Sequence, residues 1–259
     1  MLERIRQLCL MDDEFMTKVF EDDPVCTEIM LRIILERDDI EVLSVETQKT
    51  INSLEGHSVR LDIVAKDASG KIFNVEVQRK DSGNERRRAR YYCSVLDCVS
   101  LGKGQDYSEL PDVYVIFIME KDIFGDGEPV YRVGQTLNGR SAYEDGRHIV
   151  FVNGAAQTDT AIGMLMHDFR CRNADEMKIP QLRARVKHFK DSEEGAFVMS
   201  GILDEMREEV ARETEAKTRL ADWINAAKSI IENFHFTKET AVRGLNIPLE
   251  YRDTVLAAL

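Results

Sequence analysis

Cysteine is sparse and poorly spaced for chemistry. The five cysteines (Cys9, Cys26, Cys93, Cys98, Cys171) include no CxxC pair. A disulfide framework or zinc site is therefore not expected, and reduced, buried thiols are. The five histidines (57, 148, 167, 188 and 235) lack ligand spacing. His167 and Asp168 read as a helix-surface pair rather than a catalytic dyad. No glycine-rich phosphate loop precedes a helix, and no apolar run approaches the ~20 residues of a membrane span. The opening, MLERIRQLCLMDDEF, lacks an apolar core long enough for a signal peptide, so a cytoplasmic location is expected. Positive charge is also short. A net charge of -12 argues against a surface coated in positive potential for nucleic acid, although a local basic cleft stays compatible with it.

What is present suits one large domain, or a core with an appendage, over 259 residues. Charged residues reach 32%, above the usual ~25%, which suggests exposed helices. Pro24 with Val25, Ile29, Ile33 and Ile34 predicts a helix to about Arg37, on which Glu28 lies four residues before Arg32. Residues 40–52 read as a strand. DVYVIFIME, residues 112–120, reads as a central strand buried on both faces. Residues 131–137 and 148–153 read as further strands. Beyond residue 155 the pattern turns helical, over 160–169, 181–190 and 195 to about 234. Thr237 is expected to cap a short helix that stops at Gly244. A mixed α/β core over 1–156 and a helical C-terminal extension over 157–259 follow. Trp223, Ile224, Ile230, Ile231 and Phe234 form a packing stripe. Either the stripe packs within the chain, or it faces a second subunit and makes a homodimer through the C-terminal helices.

The chemistry concentrates in VRLDIVAKDASGKIFNVEVQRK, residues 59–80. Two alternating strands flank an Ala68-Ser69-Gly70 loop. Leu61, Ile63 and Ala65 with Phe73, Val75 and Val77 make an apolar face, while Asp62, Asn74, Glu76 and Gln78 occupy the other. If Asp67 pairs with Lys71, Asp62 falls opposite Glu76, with Cβ atoms roughly 5 Å apart. Like charges so placed destabilise a sheet, and a divalent cation would offset the cost. The other reading is an ordinary solvent-facing hairpin side.

A basic helix follows over 81–101. Between Arg79 and Arg90 stand six positive and two negative residues. Helical spacing prevents all the arginines from facing one way, and Arg86 with Arg90 (i, i+4) is the expected same-face pair. Tyr91 and Tyr92 lie about 100° apart, so one packs while the other reaches the cleft.

LDIVAKDASGKIFNVEVQ followed by RARYYCSVLD resembles the PD-(D/E)XK nuclease superfamily, in particular its transposase-like, recombination-promoting (Rpn) branch. The resemblance covers residues 15–152. It implies a restriction-endonuclease-like mixed sheet flanked by helices, and Mg2+-dependent, or Mn2+-dependent, hydrolysis of DNA in a recombination or mobile-element setting. Asp62, Glu76 and Gln78 would be catalytic. Asp62, Glu76, the Val77 carbonyl and Glu28 would serve the metal, and Arg79, Lys80, Arg86, Arg90 and Tyr91 the DNA. Leu61 stands where the superfamily name has proline, and Gln78 where it has lysine. An amide can orient water but supplies neither positive charge nor a base near neutral pH. Gln78 and the net charge also fit a competing reading, a non-catalytic nucleic-acid-binding or assembly protein on the same fold.

Overall fold

The computed structural model describes residues 2–52 and 57–259. Contacts divide it into two units, Met1–Ser200 and Gly201–Leu259.

The first unit opens with α1 (Leu2–Gln7), α2 (Asp13–Phe20) and α3 (Pro24–Leu35). α3 starts where sequence says it should: Pro24 occupies the first turn, and the Asp23 side chain accepts from the Cys26 N–H at 2.8 Å. Then come β1 (Val42–Ile51), β2 (Val59–Asp67), β3 (Ile72–Gln78), α4 (Glu85–Ser100) and β4 (Val113–Met119). β5 (Val130–Val133), β6 (Thr136–Leu137), β7 (Ser141–Ala142) and β8 (Arg147–Asn153) follow. α5 (Ala161–Arg170) and α6 (Pro180–Asp191) complete the packing of this unit, and α7 (Glu193–Phe234) begins in it.

Six strands form one sheet in the order β1-β2-β3-β4-β8-β5, with β6 and β7 in a separate ribbon. β3, β4 and β8 run parallel, and the other neighbours in the large sheet are antiparallel. Every residue of β4 is buried, as its unbroken apolar composition predicts. Val115, Phe117 and Met119 pack with Ala89, Tyr92, Cys93 and Leu96 of α4. From the alternate face, Tyr114 takes a hydrogen bond at 3.1 Å from Arg37, just past α3. Helices therefore cover both faces, in the mixed α/β sandwich expected of a restriction-endonuclease-like core.

The Asp67 carboxylate closes the β2–β3 turn by accepting from Ser69 N–H (2.9 Å), Ser69 O–H (2.8 Å) and Lys71 N–H (2.9 Å). Gly70 adopts φ +86°, a left-handed conformation that costs glycine little. Asp67 N–H donates to Lys71 O, and Ile63↔Val75, Val64↔Asn74, Ala65↔Phe73 and Lys66↔Ile72 follow in the anticipated register. The alternative of a solvent-facing hairpin side does not hold. Val64, Asn74 and Glu76 are all buried, because α4 lies over that side of the sheet.

The boundary between units falls between Ser200 and Gly201 rather than after residue 156, since α5 and α6 both pack on α3. Asp168 is not at a helix surface. It is fully buried and accepts from Lys178 N–H (2.7 Å) and Ile179 N–H (2.8 Å) as well as meeting His167.

The second unit holds the rest of α7 with α8 (Lys238–Gly244) and α9 (Leu249–Ala258). Thr237 caps α8 by accepting from Thr240 N–H at 3.2 Å. The stripe of Trp223, Ile224, Ile230 and Ile231 packs on Ala241, Val242, Ile247 and Val255, so its partner lies in the same chain. Phe234 stays exposed. Among the described residues no helix is long and apolar enough to cross a membrane.

Candidate active site

The β2–β3 ladder gives way just beyond Ile63↔Val75, at the end of the sheet where the parallel strands finish. Two backbone N–H groups need acceptors there, and the acids supply them. Asp62 N–H donates to Glu76 Oε1 (3.2 Å), and Val77 N–H donates to Asp62 Oδ2 (3.1 Å). Each carboxylate thus crosses to the opposite strand, and both are buried, at 8% and 1% exposure.

α4 brings one cation to the pair. Its inward stripe of Glu85, Ala89, Tyr92, Cys93 and Leu96 has helical spacing, and Arg88 lies beside it, one turn before Tyr92. Arg88 donates to Gln78 Oε1 (3.0 Å), to Glu76 Oε2 (3.3 Å) and to the Tyr92 hydroxyl (3.0 and 3.3 Å). Its guanidinium carbon stands 5.4 Å from the Tyr92 ring centre and 5.3 Å from that of Phe117.

This single cation does not neutralise two buried carboxylates. Burial raises the pKa of Asp62 above the carboxylate range and negative Asp13 adds to the rise, outweighing the Val77 N–H, Arg88 and Arg60. Burial likewise raises Glu76, and the Asp62 charge adds to it, against the Asp62 N–H, the neighbouring Asn74 amide and Arg88. The donor set suits a small, hard divalent cation, which takes carboxylate oxygens with water completing its shell. Asn74 adds a neutral polar group beside the pair. It is fully buried on the face shared with Glu76, and its amide acts on the Glu76 carboxylate. No group of three or more His, Cys, Asp or Glu side chains poised for a metal occurs among the described residues.

Several predicted members are elsewhere. Glu28 pairs with Arg32 (2.9 Å) and accepts from Val42 N–H (2.9 Å). Val42 lies opposite Asp67, five residues from Asp62 along β2, or roughly 16 Å at strand rise. The upstream acid whose charge reaches Asp62 is Asp13 of α2, held by Gln48 Nε2 at 2.9 Å. Arg79 is engaged by Asp12 and by Glu120 (3.4 Å). Arg86 stacks over Phe124 at 4.7 Å, while Lys80 and Arg90 are exposed. Of the two tyrosines, Tyr92 reaches the acids, whereas Tyr91 donates to His57 O at 2.7 Å. Arg88 could have been found by stepping back four residues from Tyr92. Asp13 sat unassigned in the acidic patch Asp12-Asp13-Glu14.

Residues 15–140 match the family model of the PD-(D/E)XK nuclease family transposases. Over this segment the chain is similar to that family. The match spans the paired acids, Gln78 and the whole of α4, including Arg88 and both tyrosines. No curated protein and no solved structure matches the chain.

Proposed function

We propose that this protein is a metal-dependent DNA endonuclease acting in recombination or transposition. The observation that carries the proposal is the buried, cross-strand pair Asp62 and Glu76, with Gln78 and Arg88 bonded beside it. Asp62 and Glu76, with the Val77 carbonyl, would hold Mg2+ or Mn2+. When bound, such an ion lowers the pKa of water and neutralises phosphate charge. Gln78 orients the attacking water through its amide. The water oxygen joins phosphorus and one P–O ester bond breaks. One water proton is lost to solvent, and the leaving oxygen takes a proton to become a hydroxyl. Exposed Lys80, Arg86 and Arg90 would follow the DNA backbone by phosphate contact, with Tyr91 at the rim.

A cytoplasmic setting accords with five unpaired cysteines. For duplex cleavage, a homodimer through the C-terminal helices would bring two sites to two strands. The exposed Phe234 and Phe236 rings, 6.1 Å apart, and exposed Leu249 offer apolar surface for it.

The test is cleavage of plasmid and linear DNA by the full chain in Mg2+ and in Mn2+, with Asp62→Asn and Glu76→Gln. Cleavage that requires the ion and disappears in both variants is expected; cleavage that persists in both refutes the assignment. The neutral amide of Gln78 favours a second reading, a non-catalytic DNA-binding protein. Salt-dependent DNA binding that persists in chelator, with no cleavage in either ion, would select it.

A further inference from the structure

We infer that Arg88 is a catalytic residue of this site, its guanidinium supplying the scissile phosphate with the positive charge that Gln78 lacks. The inference rests on the nuclease proposal and assigns the charge chemistry within it.

Phosphodiester hydrolysis builds negative charge on the phosphoryl and leaving oxygens, and preorganised cationic donors at that point lower the barrier. Asp62 and Glu76 are anionic and Gln78 is neutral. Nearby cations are committed or remote: Arg79 to Asp12 and Glu120, Arg86 to Phe124, while Lys80, Arg87 and Arg90 are exposed without a bond to the pair. Arg88 alone among the described residues bonds to both Gln78 and Glu76.

Its surroundings also fix its direction. The Tyr92 hydroxyl accepts from Nε and Nη2, and the Tyr92 and Phe117 rings flank the guanidinium. Rings and hydroxyl limit its rotation, and the side chain remains 31% exposed, enough to be reached by a substrate. Nη1 bonds Gln78 and keeps a second hydrogen to offer. Nη2 spends its hydrogens on Glu76 and on the Tyr92 hydroxyl. The planar guanidinium is the fork that matches phosphate oxygens in shape.

Geometry also suggests a replacement. Gln78 Oε1 lies 3.0 Å from Nη1, so an ammonium grown from position 78 would occupy nearly the same space. Arg88→Met removes the charge, Arg88→Lys retains it without the fork, and Gln78→Lys/Arg88→Met relocates it. Two readouts apply to the full-length protein: single-turnover DNA cleavage in Mg2+, and the salt dependence of duplex affinity in Ca2+, a condition chosen to suppress cleavage. Arg88→Met should slow cleavage by about a hundredfold or more and reduce the slope of log K against log salt by about one. The double variant should recover most of both, and Arg88→Lys should be intermediate. Wild-type cleavage with Arg88→Met within about threefold of it overturns the role of Arg88 while sparing the nuclease proposal. An Arg88→Met protein that cleaves slowly with an unchanged salt slope also overturns it, since that is the mark of a structural role. Wild-type protein that binds DNA but never cleaves overturns both.

Discussion

The strongest physical consequence of the acid pair is that it weakens the protein when no cation is bound. Asp62 and Glu76 both have folded-state pKa values raised above the carboxylate range, chiefly by burial. A carboxyl of this kind holds its proton more tightly folded than unfolded. Its cost to stability is absent below the unfolded value near ~4, grows as pH rises, and is complete above the raised folded value. Each tenfold gain in proton affinity is worth about 1.4 kcal/mol. Asp62→Asn removes one charge and leaves a side-chain oxygen to accept from Val77 N–H. The expected gain in chelator at about pH 8 is on the order of 1–3 kcal/mol. At roughly 2–4 °C per kcal/mol for a chain of this size, that is a rise in Tm of roughly 3–10 °C. At about pH 5 most of the difference should vanish, because the wild-type pair is then largely protonated. Millimolar Mn2+ should raise the wild-type Tm at the higher pH and leave the variant almost unmoved. Differential scanning fluorimetry at two pH values, with chelator and with Mn2+, measures all of this. A variant that melts below wild type in chelator at the higher pH, or that responds equally to Mn2+, refutes the reasoning.

Asp67→Ala removes an acceptor of three hydrogen bonds in the hairpin turn; a loss of about 1–3 kcal/mol should appear in denaturant melts, with cleavage falling as the strand register loosens. Gly163→Ala would place a Cβ 1.9 Å from the Thr158 carbonyl oxygen. The expected cost of about 1–3 kcal/mol is readable by thermal circular dichroism. Glu28→Gln keeps an acceptor for Val42 N–H and loses only the Arg32 pair. Stability should fall by less than about 1 kcal/mol, with cleavage and Mn2+ affinity unchanged by calorimetry; a large drop in Mn2+ affinity would return Glu28 to the metal site.

Local rules made the fold legible. The unbroken apolar composition of residues 113–119 named the strand buried on both faces, and the Ala68-Ser69-Gly70 loop fixed a register that set Asp62 toward Glu76. What escaped depends on which end of one element meets another. Helical periodicity placed Glu28 on α3, but its contact with Val42 at the turn end of the sheet arises only from tertiary packing. Mutual spacing pairs the arginines of α4 but carries no reference to the sheet. Tyr92 provides that reference, and measured from it Arg88 faces the acids while Arg86 and Arg90 do not. The polar side of the hairpin looked solvated because its residues were polar. α4 buries it, and burial raises the pKa values of those carboxylates.

The acids also do structural work, which changes how they should be tested. Where the β2–β3 ladder ends, Asp62 N–H and Val77 N–H have lost strand acceptors, and the two carboxylates replace them. Val77 is 7% exposed, so water is a poor substitute for its partner. Asp62→Ala therefore combines two effects of opposite sign: relief of like-charge repulsion, and a buried N–H left unpaired at a cost of about 1–3 kcal/mol. Asp62→Asn carries the relief alone. Both variants should abolish Mn2+-dependent cleavage, yet in chelator at about pH 8 the asparagine protein should melt above the alanine protein by several degrees. Equal melting temperatures would show that the carboxylate is not needed to close the open end of the hairpin. A loss of activity in the alanine variant would then be attributable to chemistry alone.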